Sequence, residues 1–528
     1  MPPSASPNKW LVTVSVSCGT FMGALDSSIV NVALPQIRGS LGATLEEITW
    51  ASTGFIIATV VTLPFPGFFG RLFGQKRAYL GCLALFIVGS FLCGIAWNLP
   101  SLVLFRVLQG LGAGVLQPTE QAILRQTFPP EEQGMAMAIF TSIIVVGPAV
   151  GPTLGGYIVD NFHWSWIFFI NLPVGALGFL MVWRFLEDPE DVRAANQAAA
   201  ESERRNIDWI GITLMCVSLT SLQYVLEEGQ RQDWFDSPWI TAFALLAGVC
   251  VPAFVLRELT AARPVVHLRL FKDPKFTSGS LLGGVMFFIL IAGLFLLSLF
   301  MQEILGFTAE GAGLVLMPRA LVMMVVMPII GRLYTRLPPR LLLVAGLLVT
   351  GLGVYQMSRF SLDTSAGDIV AVVLLQGLGS SLLFVPLNTV VLDDVPRHRL
   401  ADGAGLNSLM RQIGSSLGLA LFTNLLARYT TQAQVGLSAH LVEGRPEVME
   451  RLALMQGGLG SRLGGTGAGE ASLRLLAASI QRQAAVLAFD QLFALAAVLF
   501  LVVTPLLLFL RTGGGAQAMT RAAAEANG

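Results

Sequence analysis

Apolar residues run along this chain in blocks of helix-spanning length, separated by short polar or basic loops. Fourteen such blocks can be read, over residues 11–34, 49–70, 79–97, 101–124, 135–158, 166–186, 208–227, 238–257, 278–302, 310–333, 341–359, 369–391, 404–427 and 487–510. A helix that crosses a bilayer needs about 20 mostly apolar residues, so each block is long enough. The first is too long for a leader and ends on no small-residue cleavage site, so it is expected to remain as a span. Composition agrees: 54% of the 528 residues are hydrophobic and 12% are charged, against roughly 25% charged residues in a soluble domain. The chain reads as an all-α polytopic membrane protein. Cys18, Cys82, Cys93, Cys216 and Cys250 all fall within apolar blocks without metal-ligand spacing, and are expected to be small buried hydrophobes rather than disulfides.

The net charge of zero conceals an uneven distribution. With the N-terminus placed in the cytoplasm, 21 of the 33 Lys and Arg residues fall on the cytoplasmic side and only Arg38, Arg231 and Arg359 in short outer loops. Basic residues in short loops mark the inner face, so both termini are expected to be cytoplasmic. Arg106, Arg319 and Arg411 lie within spans.

The chain also repeats itself. Gln109-Gly110-Leu111-Gly112 in the fourth block returns as Gln376-Gly377-Leu378-Gly379 in the twelfth, 267 residues later. Gly67 and its basic loop return as Gly331 and its basic loop, and Pro130 with Gly134 resembles Pro396 with Gly403. Matching offsets at matching places imply two homologous halves of six spans, an organisation whose transport site lies between the halves. The expected divisions are a six-helix bundle over 1–186, linkers with two inserted spans over 187–276, a second six-helix bundle over 277–511, and a cytoplasmic tail over 512–528. The first linker, 187–207, carries an alanine-rich stretch able to form a short surface helix. Residues 428–486 form the longest outer segment, with helical flanks (431–455 and 470–486) around a glycine-rich turn from Gly457 to Gly469.

Charged residues inside spans are costly and mark function by default. Asp26 lies about 25 Å along the helix from Lys9, and Arg106 about 9 Å inside the outer turn at Pro100. Both fall in the outer half of a core about 30 Å thick, where they either pair or share a water-filled cavity. A carboxyl that alternates between a desolvated site and a nearby guanidinium can load and release a proton; a fixed ion pair is the plain alternative. Glu120 lies about 21 Å deeper than Arg106, near the inner mouth. It either latches onto the basic loop Arg71–Arg77 or snorkels to water. Arg411, with Asn31, Gln109 and Gln117, is a candidate for lining a substrate cavity, whereas snorkelling accounts for Arg319. His163 and His440 outside, and His267 and His398 inside, read as solvated loop residues.

In the fifth block, Gly147, Gly151 and Gly155 recur at i, i+4, i+8 and form a face without side chains, against which another helix can pack closely. Pro148 and Pro152 each remove a helix hydrogen bond and favour a bend. Gly156 completes the segment Gly147-Pro148-Ala149-Val150-Gly151-Pro152-Thr153-Leu154-Gly155-Gly156.

That segment resembles the antiporter motif of the major facilitator superfamily. The opening signature Leu25-Asp26 with Asn31-Val32-Ala33-Leu34-Pro35, the run Arg106-Val107-Leu108-Gln109-Gly110-Leu111-Gly112, and Trp164-Ser165-Trp166 through Asn171-Leu172-Pro173-Val174-Gly175 resemble its fourteen-span drug:proton antiporters of the EmrB/QacA type. The resemblance covers nearly the whole chain. It implies two six-helix bundles plus two inserted helices, 14 transmembrane helices in all, with proton coupling at Asp26 and Arg106. One position departs: Arg71 stands where the superfamily's inner loop motif usually has Asp four residues after Gly67. An inner gate from Gly67, Arg71, Gly74, Arg77 and Glu120 would therefore need a rebuilt latch, with Glu120 expected to meet Arg71.

The function implied is proton-coupled multidrug efflux of amphipathic or lipophilic compounds across the cytoplasmic (inner) membrane. The alternative on the same fold is export of one endogenous metabolite, such as an antibiotic, siderophore or lipid. A non-transporting sensor or scaffold would tolerate loss of Asp26. No nucleotide loop, metal cluster or nucleophile constellation stands out, so no enzymatic activity, no cofactor, no metal and no nucleic-acid partner are expected, and the drive is the proton gradient. An EmrB-like pump would work with a periplasmic adaptor and an outer-membrane channel; a QacA-like one would act alone.

Overall fold

The computed structural model describes residues 8–205, 207–439, 445–463 and 465–505, and among these no strand occurs. The first half contains α1 (Lys9–Leu41), α2 (Leu45–Thr62), α3 (Pro66–Phe73), α4 (Gln75–Gly94), α5 (Leu99–Thr127), α6 (Gln133–Asn161), and the short α7 (Trp166–Phe169) leading into α8 (Asn171–Phe185). The linker helix α9 (Glu190–Arg205) and the inserted pair α10 (Trp209–Glu228) and α11 (Pro238–Thr260) follow. The second half contains α12 (Pro274–Leu299), prolonged by a π-helical turn over Phe300–Ile304, then α13 (Ala309–Leu333), α14 (Pro339–Met357), α15 (Ala366–Val390), α16 (Leu400–Ser438), α17 (Pro446–Leu463) and α18 (Gly465–Val503).

Side chains at the helix starts explain where the loops break. Thr44 and Glu47 form a capping box on α2, Asn98 and Ser101 on α5, and Ser365 and Asp368 on α15, each satisfying backbone N–H groups that the helix leaves open. Gly42, at φ +63°, closes α1 in the left-handed conformation that suits glycine.

Among the described residues, eleven helical segments are long and apolar enough to cross a membrane, and α2 with α3, bent by 60°, makes a twelfth. α1 and α16, read from the sequence as spans one and thirteen, fall outside that set. Apolar length alone therefore stops short of the expected fourteen. The polar members of the bundle are the ones that carry Asp26 and Arg411.

The outer segment is more helical than expected. α16 runs on to Ser438, α17 packs on α18, and residues 457–463 and 465–469 are helical rather than a broad turn. Between them, residue 464 lies outside the described residues, as do His440 and the tail over 512–528. The five cysteines are free thiols.

The internal repeat is a packing repeat. A Cβ on Gly110 of α5 would stand 2.5 Å from the Phe55 carbonyl of α2, and one on Gly377 of α15 would stand 2.8 Å from the Arg319 carbonyl of α13. Gly112 abuts Cys82 of α4 at 2.6 Å, while Gly379 abuts the Thr350 backbone of α14 at 2.6 Å. The same glycines thus let the same pairs of helices touch backbone to backbone in each half.

The halves meet at the basic end through two crossings of the same kind. α6 crosses α13 where Gly134 faces Gly331, each 2.7–2.8 Å from the other's carbonyl by the Cβ measure. The corner between α2 and α3 meets α16, where Gly405 lies against the Leu63 carbonyl at 2.6 Å and Gly67 against the Asp402 carboxylate. The inserted helix α10 packs on α2 in one half and α16 in the other.

Candidate functional site

Asp26 of α1 and Arg106 of α5 form a fully buried ion pair. The guanidinium spends its remaining donors locally: Nε donates to the Ala51 carbonyl at 3.0 Å and Nη1 to Gln109 Oε1 at 2.7 Å. Its plane lies 4.0 Å from the Phe55 ring centre, a cation–π contact. The second carboxylate oxygen of Asp26 accepts from Gln109 Nε2 at 2.9 Å and from Asn171 Nδ2 at 3.2 Å. Ser90 accepts from both amides and donates to the Phe168 carbonyl. Five helices, α1, α4, α5, α7 and α8, therefore contribute to one closed network, with α2 supplying a carbonyl and a ring. Removing either charge would strand the other in an apolar interior, which costs several kcal/mol.

Ser90 and Asn171 were not assigned from the sequence. Their signal in the sequence is faint: each is a polar residue in an otherwise apolar run, and Asn171 lies within the stretch from Trp164 to Gly175.

The glycine face of α6 packs on α1, beside Asp26. A Cβ on Gly147 would meet Ala24 at 2.6 Å, one on Gly151 would meet Ser28 at 2.6 Å, and one on Gly155 would meet Ile29 at 2.8 Å. Gly156 faces open space and is not part of this contact. α6 is continuous through both prolines. Pro152 has no N–H, so the Pro148 carbonyl one turn back loses its helix partner. Ser28 Oγ donates to that carbonyl at 3.2 Å. The partner of the motif is thus α1, the helix of the same half that carries Asp26, while contact with the other half is made at the start of α6, at Gly134.

The inner latch is built from different partners than expected. Arg71 grips Asp402 of α16 with Nη1 at 3.0 and 2.8 Å, and Nη2 donates to the Val265 carbonyl at 3.2 Å. Asp402 is buried and His267 Nδ1 lies 3.5 Å from it, so His267 is not the solvated residue the sequence suggested. The acid comes from the second half and the base from the first, reversing the polarity implied by the family motif. Glu120 does not meet Arg71. It is fully buried among α1 and α4, where Ser17 Oγ donates to it at 2.7 Å. Depth along the helix alone puts it near the mouth, but α1 and α4 cover it. Gly74 takes φ +85° at the turn into α4, and Arg77 is exposed.

Further links reinforce this end. Arg125 donates to Asp393 at 3.0 Å, and Gln126 and Arg397 exchange backbone-directed bonds across the halves at 3.1 and 2.9 Å.

The four cavity candidates are dispersed. Gln109 belongs to the Asp26 network. Asn31 is exposed and accepts from Ser52 at 3.1 Å, while Gln117 is half-buried on α5. Arg411 is buried, donating to Asn388 at 2.8 Å and Ser408 at 3.1 Å, and Asn388 in turn donates to Thr141 of α6 at 3.1 Å. It therefore ties the second half to the first.

This arrangement, a closed intramembrane ion pair in one of two repeated helix bundles that cross at one end, defines a membrane carrier of the two-bundle type. The model of the Major Facilitator Superfamily matches residues 16–419. The multidrug export protein EmrB of Haemophilus influenzae is 38% identical over 414 residues, 78% of this chain and 79% of that one. The fatty acid resistance protein FarB of Neisseria gonorrhoeae is 33% identical over 511 residues, 96% and 97% of the two chains. The crystal structure of the human organic anion transporter MFSD10 superposes with a TM-score of 0.61 at 13% identity, over 95% of this chain and 100% of that one, a likeness of fold alone. The chain belongs to the major facilitator superfamily, among its EmrB-type members.

Proposed function

We propose that this chain is a proton-coupled multidrug efflux antiporter that exports amphipathic or lipophilic compounds across the cytoplasmic membrane. The observation that carries the reading is the burial of Asp26 against Arg106 on a helix seated on α6, the same helix that crosses into the other half. Protonating Asp26 would discharge its bond to Arg106 and leave a buried guanidinium uncompensated. The strain is relieved only if α1 and α5 shift, and α1 cannot shift without α6. Proton binding and the angle between the halves are then coupled.

The proton gradient is the drive and no cofactor takes part. Both termini lie in the cytoplasm, in keeping with the basic loops. The names of the relatives, one for multidrug export and one for fatty acid resistance, favour apolar or amphipathic cargo. An EmrB-like role would include a periplasmic adaptor and an outer-membrane channel, with the outer extensions of α16 to α18 as the docking place.

The test is substrate-induced proton movement in inverted vesicles. Asp26→Asn is expected to abolish it while the protein remains folded and inserted. Coupling that persists in Asp26→Asn would remove Asp26 as the proton carrier.

A further inference from the structure

The first half holds a second buried carboxyl that the Asp26 network does not use. Glu120 on α5 has no accessible surface. One carboxyl oxygen accepts from Ser17 Oγ of α1 at 2.7 Å. Among the described residues the other, Oε2, has no partner in regular hydrogen-bond geometry; the buried hydroxyl of Thr20, one turn along α1, is the polar group that faces it. Among the described residues, no cation is placed against it. The titratable groups facing it are Cys18 on α1 and Tyr79 on α4, with Cys82 beyond Tyr79. The tyrosine hydroxyl is committed to the Val16 carbonyl. Among the other helices packed on α5, the nearby charges are engaged elsewhere: Arg71 of α3 grips Asp402 of α16, and Arg125 of α5 itself pairs with Asp393.

An ionised carboxylate in such a place would carry a desolvation cost of several kcal/mol with nothing to offset it, and a buried acid in that position takes up a proton instead. The carboxyl O–H donates toward Thr20 Oγ1, while Oε1 keeps the bond from Ser17. Ser17 precedes Asp26 by nine residues on the same helix, about 14 Å toward the basic end. We propose that Glu120 is a second proton-binding site of this carrier, neutral while the basic end is closed and releasing its proton to water when that end opens.

This rests on the antiport reading for its purpose but not for its chemistry. With Asp26 it would bring the exchange to two protons per cycle, so that each unit of pH gradient supports a 100-fold rather than a tenfold gradient of an uncharged substrate. The release is an ordinary ionisation: the Oε2–H bond breaks, the electron pair stays on the carboxylate, and water entering between α1 and α5 takes the proton. The latch that must open first is Arg71–Asp402.

Infrared difference spectroscopy of the full chain in lipid nanodiscs, titrated between pH 5 and pH 9 without substrate, tests this. A protonated-carboxyl C=O band at pH 7 is expected in the wild type and in Asp26→Asn, and absent in Glu120→Gln. The buried Glu228 and Glu258 and the half-buried Glu227 can add bands of their own, so the assignment rests on the difference from Glu120→Gln. Asp402→Asn, which loosens the latch, is expected to lose the band at lower pH than the wild type. Should Glu120→Gln fail to fold, Ser17→Ala serves instead, because losing its donor shifts the frequency of the same band. Wild-type and Glu120→Gln spectra that superimpose at every pH would overturn the proposal, as would a band that responds neither to pH nor to Asp402→Asn. Failure of the antiport reading itself would appear separately, as transport that survives in Asp26→Asn.

Discussion

Arg106 illustrates how much one side chain is asked to do in this half. Its guanidinium holds Asp26, Gln109 and the Ala51 carbonyl while lying on the Phe55 ring. A lysine keeps the charge but offers a compact ammonium that cannot span those directions or stack in the same way. Arg106→Lys is therefore expected to lower transport in vesicles at least tenfold while leaving membrane insertion intact; near-normal transport would mean that charge alone suffices. Gln109, which the sequence offers as a cavity residue, is a clamp on the carboxylate. A polar residue in a span announces itself in sequence, but what it faces does not.

At the scale of helices, the glycine face of α6 and the latch at α3 and α16 carry opposite tasks. The face lets α1 lie within backbone distance, so Gly151→Leu would drive a side chain into Ser28 and displace the helix that holds Asp26. Transport loss without loss of the folded protein is expected from Gly151→Leu, whereas Gly156→Val, which faces open space, should keep more than half of the activity. Both are read from drug efflux and from detergent-solution melting. The latch holds the basic end shut. Breaking a buried ion pair from one side costs about 3–5 kcal/mol, so Asp402→Asn should shift the population strongly toward opening at the basic end. Spin-label distances between the basic ends of α6 and α13 would report it, and an unchanged distance distribution would assign the closure to the glycine crossings alone.

Over the whole molecule, the two halves share a scaffold and divide the chemistry. Gly110 and Gly377, and Gly112 and Gly379, make matching helix contacts. Gln109 rests on Gly89 as Gln376 rests on Gly353. The charges, however, are not repeated. At the offset of the repeat, Arg106 corresponds to the buried Val373, and Asp26 to the apolar stretch from Leu290 to Gly293. Among the described residues, Gln376 donates only to the Met357 sulfur, at 3.4 Å. Gln109→Ala is accordingly expected to impair proton-coupled transport by an order of magnitude and Gln376→Ala by less than twofold. Equal defects would point to a packing role shared by both.

The sequence by itself determined the membrane character, most of the spans, the repeat and the presence of Asp26, Arg106 and Arg411 within helices. These follow from local costs: an apolar block of sufficient length must bury itself in lipid, and an ionised group within it demands a reason. Partnership had to wait for the tertiary structure. Asp26 and Arg106 are 80 residues apart and Arg71 and Asp402 are 331 apart, and nothing periodic in the chain says which helix covers which. Helix depth alone placed Glu120 beside a basic loop, but packing enclosed it between α1 and α4 and left Arg71 to Asp402. The glycine motif was legible as a close-contact face, yet only the fold decided that the helix lying in it is the one bearing Asp26. Spans are chosen by transfer into lipid, residue by residue; sites are chosen by which spans touch, and that is a property of the assembled bundle.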